Sequence, residues 1–312
     1  NGKICKGEKR IDGYWYYFDE TTGAMQTGFV DLIGKTVYYN EIGQMMYGDQ
    51  FIDGYNYYFN ETTGKRLENS WRTVLNESDE SGQIYYDEKG RQVYGEKQID
   101  GYWYYFDETT GLKVTGKREI PVKEGGYKTV YYDTDGRMMY GEQRLDGYWY
   151  YFDKYSGAMQ KGFVLLPGKT VYYNDKGQML YGQKFINGHW YLFDKFNGAM
   201  KTGFVHIPTQ NKTVYYSKNK ASLGQMLYGF QNINGKTYYF DTFDGAMKTG
   251  WSYISENKSL YYFKNNGQAA QGKLTLNNTS YDFDSQGKLL SHAEQFSPNG
   301  TDWYFFDDDG YI

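Results

Sequence analysis

The stretch Ile11 to Phe29, IDGYWYYFDETTGAMQTGF, recurs with small changes from Ile52, Ile99, Leu145, Ile186 and Ile233. So short a repeat cannot build one layered core. It must stack copies of a small unit and bury surface between neighbours. Each copy opens on an Asp-Gly or Asn-Gly pair: Asp12-Gly13, Asp53-Gly54, Asp100-Gly101, Asp146-Gly147, Asn187-Gly188 and Asn234-Gly235. These pairs suit the positive φ angles of a type I′ turn, so each predicts a two-residue β-hairpin. The run Tyr14-Trp15-Tyr16-Tyr17-Phe18 then reads as a strand. Alternation puts Trp15 and Tyr17 on one face and Tyr14, Tyr16 and Phe18 on the other. Both faces are aromatic, which predicts contact with neighbouring hairpins on both sides.

A second phrase lies between the copies. Phe29 to Gly48 reads FVDLIGKTVYYNEIGQMMYG, with its strand at Val37-Tyr38-Tyr39 and equivalents at Ile84, Val130, Val171, Val214 and Leu260. The Trp15 position recurs at residues 56, 103, 149, 190 and 237, in steps of 41 to 47 residues that each hold two hairpins. Past Tyr262 the pattern loosens, leaving Ser280 to Phe283 and Trp303 to Phe306 as final strands. The count predicts an all-β chain of about fourteen stacked hairpins, residues 1–312 forming one repeat domain with degenerate hairpins over about 272–312. None would be stable alone in water. Insertions such as Asn76 to Gly82 fall in turns. Composition agrees: 38 Tyr and 39 Gly against 4 Pro supply rings and turns rather than an aliphatic interior.

A net charge of −4 without a basic block argues against a nucleic-acid partner. No apolar run is long enough to insert in a membrane. Cys5 is the only cysteine, so no intrachain disulfide can form. The chain starts in mid-repeat without Met and reads as an excised piece of a larger protein. Enzyme chemistry has little support. The three histidines, His189, His206 and His292, share no repeat position. Nucleophile-elbow, zinc-protease and Cys-x-x-Cys patterns are absent. Asp19, Asp107, Asp153, Asp194 and Asp241 recur after the aromatic run, which marks them as turn residues. The acidic run Asp307-Asp308-Asp309 reads as a frayed end rather than a calcium site. No metal or cofactor is expected.

Gly-x-x-Tyr-Tyr-Phe-Asp, a following Gly and a closing Thr-Gly-Phe or Thr-Gly-Trp resemble the cell-wall-binding repeats of Gram-positive bacteria. That superfamily includes choline-binding modules and the glucan-binding repeats of glucansucrases. The resemblance covers nearly the whole chain. It implies a non-catalytic β-solenoid, secreted or displayed on a Gram-positive surface and often appended to an enzyme.

The resemblance also names candidate site residues. Choline-binding repeats pair a Trp after the opening Gly with a Trp before Tyr-Tyr, and a neighbouring repeat adds a third ring. Such a cage suits a quaternary ammonium. Here the two positions are split between hairpin types. The first type keeps Trp15, Trp103, Trp149 and Trp190 but has Asp, Glu, Gln or Phe after its Gly. The second has Phe29, Phe163, Phe204, Trp71 or Trp251 there, but Val, Ile or Leu at the other Trp position. One hairpin cannot complete a cage, which puts teichoic-acid choline second, reachable through cages built across neighbours. Glucan-binding repeats present a stacking Tyr beside Gln and Lys. Tyr39, with Gln44, Gln178 and Gln225, fits that pattern, as do Gln26, Gln160, Lys161, Lys201 and Lys248 near the same place. Aromatic faces take the C–H side of a sugar, and amides or ammonium groups take its hydroxyls.

The first expectation is therefore a polysaccharide partner, an α-glucan or another cell-wall glycopolymer, held at shallow sites between hairpins. A structural spacer or adhesion surface is the third. Met25, Met159, Met200 and Met247 are expected to pack against neighbouring rings. The copies with Asn56 and Thr237 lack the Trp ring and are expected to hold no working site.

Overall fold

A computed structural model describes residues 4–75, 81–123, 125–277 and 279–290, together with the short strands Gln295–Phe296 and Tyr304–Phe305. The insertion at 76–80 and the acidic run at 307–309 lie largely or wholly outside these residues. The described residues are all-β: among them fourteen separate antiparallel sheets follow one another in sequence order. Thirteen are plain hairpins, and the sheet from Gly272–Leu276 and Thr279–Phe283 adds Leu289–Leu290 as a third strand. Two single-turn 3-10 segments, Pro208–Gln210 and Lys220–Ser222, interrupt loops. This is the hairpin-repeat solenoid fold.

The turn chemistry decides where hairpins form. Asp12 and Gly13 have φ of 47° and 91°, the two positive angles a type I′ turn needs. Strands Gly7–Ile11 and Tyr14–Phe18 pair across it, with Arg10 opposite Trp15. The second hairpin type turns at Ile33-Gly34, where only Gly34 takes a positive φ, and places Asp31 opposite Thr36. Trp15 therefore corresponds to Thr36, and Tyr39 to Phe18. The sequence reading had set Val37 against Trp15, one residue too far along.

That register defines the core. The last strand residue of each hairpin is its most buried ring: Tyr39, Phe59, Phe106, Tyr132, Phe193 and Phe240 are at 0% or 1% exposure. Each hairpin uses both faces, as the double-sided aromatic pattern predicts. Tyr39 stacks on Tyr17 of the preceding hairpin at 6.4 Å between centroids. Phe29 and Tyr38 pack on Tyr57 and Phe59 of the following one.

A backbone ladder links successive hairpins. The residue after each hairpin donates its N–H to the carbonyl of the Trp15 position one hairpin earlier. Met45 N reaches Trp15 O at 2.8 Å, Arg66 N reaches Thr36 O, and Met138 N reaches Trp103 O. The side chain at this linking position lies over the turn glycine of the next hairpin. A Cβ on Gly43 would sit 2.5 Å from the sulfur of Met25, and one on Gly224 would sit 2.3 Å from that of Met200. The Met row thus packs against turn backbone as well as rings.

The chain divides into two units, Asn1–Gln143 with Tyr151–Met159, and Arg144–Tyr150 with Gln160–Ile312. Both are built by the same rules.

Candidate functional site: alternating junctions between hairpins

Where a second-type hairpin is followed by a first-type hairpin, three rings meet. Phe29 lies 4.9 Å from Tyr38 on its own hairpin and 5.2 Å from Tyr57 on the next. Trp71 meets Tyr85 and Tyr104 at 5.0 and 5.2 Å. Phe163 meets Tyr172 and Tyr191 at 4.8 and 5.1 Å, and Phe204 meets Tyr215 and Tyr238 at 4.7 and 5.1 Å. Trp251 meets Tyr262 and Tyr281 at 5.2 and 4.9 Å. Phe29, Phe163 and Phe204 stay exposed to solvent. Hairpin 116–132 has Lys117 in place of the first ring.

The linking residue lies beside four of the triads. Met200 packs against the cluster of Ile186, Tyr191 and Phe193, and Met247 against that of Tyr215, Ile233, Tyr238 and Phe240. In the first two triads the linking residue is a cation. The Arg66 guanidinium lies 5.1 Å from the Phe29 ring centroid, and Lys113 Nζ lies 5.3 Å from that of Trp71.

The alternate junctions are polar. The residue after the opening Gly is Glu8, Asp49, Glu96, Glu142, Gln183 or Phe230, and the last strand residue of the next hairpin is Tyr39, Tyr86, Tyr132, Tyr173, Tyr216 or Phe263. Glu8 pairs with Lys35 at 2.8 Å, Glu96 with Lys128 at 3.0 Å, and Asp49 with Arg72. Arg72 and Gln183 donate to the phenols of Tyr86 and Tyr216 at 3.2 and 3.0 Å. Where Phe230 replaces the polar residue, Phe263 replaces the tyrosine. Phe230 then forms its own triad with Tyr239 and Tyr261 at 4.8 and 5.0 Å. Polar residue goes with phenol and ring goes with ring along the chain.

The Trp row sits at these polar junctions. Trp15, Trp103, Trp149 and Trp190 are 38%, 39%, 38% and 38% exposed, a regularity that marks one solvent-facing position. Beside Trp15 is a recess of about 270 Å³ lined by Glu8, Lys35, Met45, Tyr47, Thr62 and Thr63. Wider clefts open where the indole is missing: about 630 Å³ at Asn56 and about 510 Å³ at Thr237. The copies without the ring therefore have more open space than the Trp15 copy. The cleft at Thr237 has the Phe230 ring, Asn232, Asn257, Ser259 and Gln286 in its lining.

The other expected site residues fare differently. Tyr39 is fully buried and offers no face to a ligand, a correction that follows from the register. Gln44 and Gln178 donate to the phenols of Tyr16 and Tyr150 on the preceding hairpins at 3.4 and 3.5 Å, so they brace the stack. Gln26 folds back on the carbonyl of Ala24. Lys201 and Lys248 pair with Asp194 and Asp241 at 2.7 and 3.0 Å. Those carboxylates also accept backbone N–H bonds in their turns, and the lysines and N–H donors lower both pKa values to about 2. Gln160 and Gln225 are half-buried, and Lys161 is exposed. The rings that sequence reasoning missed are the partner tyrosines Tyr57, Tyr104, Tyr191 and Tyr238, each two residues before a fully buried Phe. Among the described residues no group of three or more His, Cys, Asp or Glu could hold a metal ion.

The chain matches a choline-binding repeat family over residues 26–71, 78–117, 123–162, 160–204 and 227–274, and a putative cell wall binding repeat at 9–25 and 299–312. No curated protein matches it in sequence. Among solved structures it is similar to CbpJ from Streptococcus pneumoniae TIGR4, at 24% identity and a TM-score of 0.54 over 84% of this chain and 99% of that one. Choline binding protein F from Streptococcus pneumoniae aligns at 24% identity and a TM-score of 0.45, over 93% of this chain and 100% of that one. An alternansucrase in complex with isomaltononaose aligns at 25% identity and a TM-score of 0.25, over 87% of this chain and 19% of that one. The likeness to CbpJ carries the fold, and the repeat matches span well over half of the sequence: the chain belongs to the choline-binding repeat family of cell-wall-binding modules.

Proposed function

We propose that this chain is a non-catalytic attachment module. It holds a secreted or surface protein on a Gram-positive cell wall by capturing quaternary ammonium groups, such as the choline of a teichoic acid, in aromatic triads between hairpins. The observation that carries this reading is the triad itself. The ring after the opening Gly and a tyrosine of the next hairpin come within about 5 Å, and Met200 and Met247 pack against the clusters that hold the partner tyrosines Tyr191 and Tyr238. Aromatic faces attract a quaternary ammonium electrostatically, and methionine adds a soft apolar wall that does not compete for hydrogen bonds. The Trp and Phe split between hairpin types, which favoured sugar on sequence alone, is bridged by the partner tyrosine.

A second reading has its own support. The Trp15 recess joins a half-exposed indole to a carboxylate, an ammonium group and two threonines, a lining suited to sugar hydroxyls. On that reading the partner is an α-glucan or another cell-wall glycopolymer.

Each site is shallow, so attachment relies on several acting along one polymer. The chain is expected to be retained on a choline resin and released by free choline. Its affinity for a choline-bearing wall polymer should exceed that for free choline by about 10²-fold or more. Passage through choline resin together with retention on dextran would replace the first reading by the second.

A further inference from the structure

The five triads that follow second-type hairpins share one geometry but differ in what covers them. We infer that Arg66 and Lys113 are built-in occupants of the Phe29 and Trp71 triads. They close those two sites to an external cation, and the methionine-flanked triads of Phe163 and Phe204 remain open. The inference rests on the quaternary-ammonium reading and adds a division of labour to it. Both closed triads lie in the unit that begins the chain and both methionine-flanked triads in the other, so the units would differ in ligand capacity.

Three observations converge. The first is position. Arg66 and Lys113 occupy the linking position that Met200 and Met247 hold elsewhere, and donate the same ladder bonds, Arg66 N to Thr36 O and Lys113 N to Gln83 O. The second is the ring face. Their charges lie 5.1 and 5.3 Å from the Phe29 and Trp71 centroids, within the range where a cation is held by the π-system. An incoming ammonium would have to share that face with a like charge. The third is anchorage. Arg66 is clamped by Glu68 through Nε at 2.9 Å and a second guanidinium nitrogen at 2.8 Å, and its stem lies against the turn at Gly90. Lys113 Nζ donates to Gln83 Oε1 at 2.6 Å and to Asp135 O at 2.9 Å, and its stem lies against Gly136. A tethered, hydrogen-bonded cation needs no binding entropy to stay, whereas a free ligand does.

The test titrates the full chain with choline chloride by calorimetry, counting sites. Wild type, Arg66→Met with Lys113→Met, and Met200→Arg with Met247→Arg are compared, each checked for a native circular-dichroism spectrum. Two additional choline equivalents in the first double variant and two fewer in the second, with remaining sites unchanged within about threefold, support the inference. Removal of choline binding by Phe29→Ala in otherwise native protein overturns it. So does an unchanged count in both double variants while wild type binds choline, an outcome that leaves the attachment reading intact. No choline binding by any variant overturns both.

Discussion

Removing one oxygen from Tyr39 should stabilise the protein. Tyr39 is at 0% exposure, its phenol has no hydrogen-bond partner, and its ring stacks on Tyr17. Burial and the nearby Glu8 carboxylate push its pKa well above the usual phenol range, so it stays protonated at any ordinary pH. A buried hydroxyl without a partner costs about 1–3 kcal/mol in lost solvation. Tyr39→Phe keeps the ring and deletes that cost. The chain already carries the variant at the equivalent Phe263, which is fully buried. The expected gain is about 1 kcal/mol. Tyr132→Phe, at a second unpartnered and fully buried phenol, should add a similar amount because the two sites share no neighbour. Tyr86→Phe is the opposite control. It strips Arg72 of a hydrogen bond at 3.2 Å and should cost about 1 kcal/mol. Urea unfolding followed by fluorescence, compared at constant m-value, measures all three. A loss of stability in Tyr39→Phe as large as in Tyr86→Phe would refute the reasoning, because it would mean that the Tyr39 phenol is bonded in solution.

Two further outcomes follow from the site and its turns. Trp15→Ala should cost about 2–4 kcal/mol of stability, since 38% exposure leaves most of the indole buried, and in protein that keeps a native circular-dichroism spectrum it should weaken glycan retention on dextran or purified wall several-fold if the Trp recess binds sugar; unchanged retention removes that residue from the site. Asp194 and Asp241 have folded pKa values lowered from 3.8 to about 2, so their contribution is complete above about pH 4 and is lost as pH falls towards 2. Acid unfolding of Lys201→Ala with Lys248→Ala should therefore show a smaller stability loss across that window than wild type, read as a flatter dependence of the urea midpoint on pH.

Hairpin existence was legible because turn chemistry is local: an Asp-Gly pair specifies its own φ angles whatever surrounds it, as Asp12 and Gly13 do. The register of the second hairpin type was not. Sequence comparison anchored on the Tyr-Tyr pair and set Tyr38-Tyr39 against Tyr16-Tyr17, whereas the backbone sets it against Tyr17-Phe18. A slip of one residue turns every side chain to the other face, and in the true register Tyr39 is the fully buried ring that ends its hairpin, not the stacking Tyr that the likeness to glucan-binding repeats implies. The partner tyrosines were hidden for another reason. Tyr57 approaches Phe29 only through packing between hairpins, which no local pattern encodes. The same holds for Gln44, whose amide reads as a sugar contact until its bond to Tyr16 is seen.

Among the described residues the fourteen sheets do not merge; successive hairpins are linked by backbone bonds such as Met45 N to Trp15 O and by ring contacts. This makes the joint between neighbours the mechanical fuse of the stack. Under tension the weakest hairpin peels alone, and its strands and linker pay out a slack of about 70 Å for some 20 residues of extended chain. The neighbouring hairpins keep their own turns and pairs, so the stack yields in steps instead of failing at once.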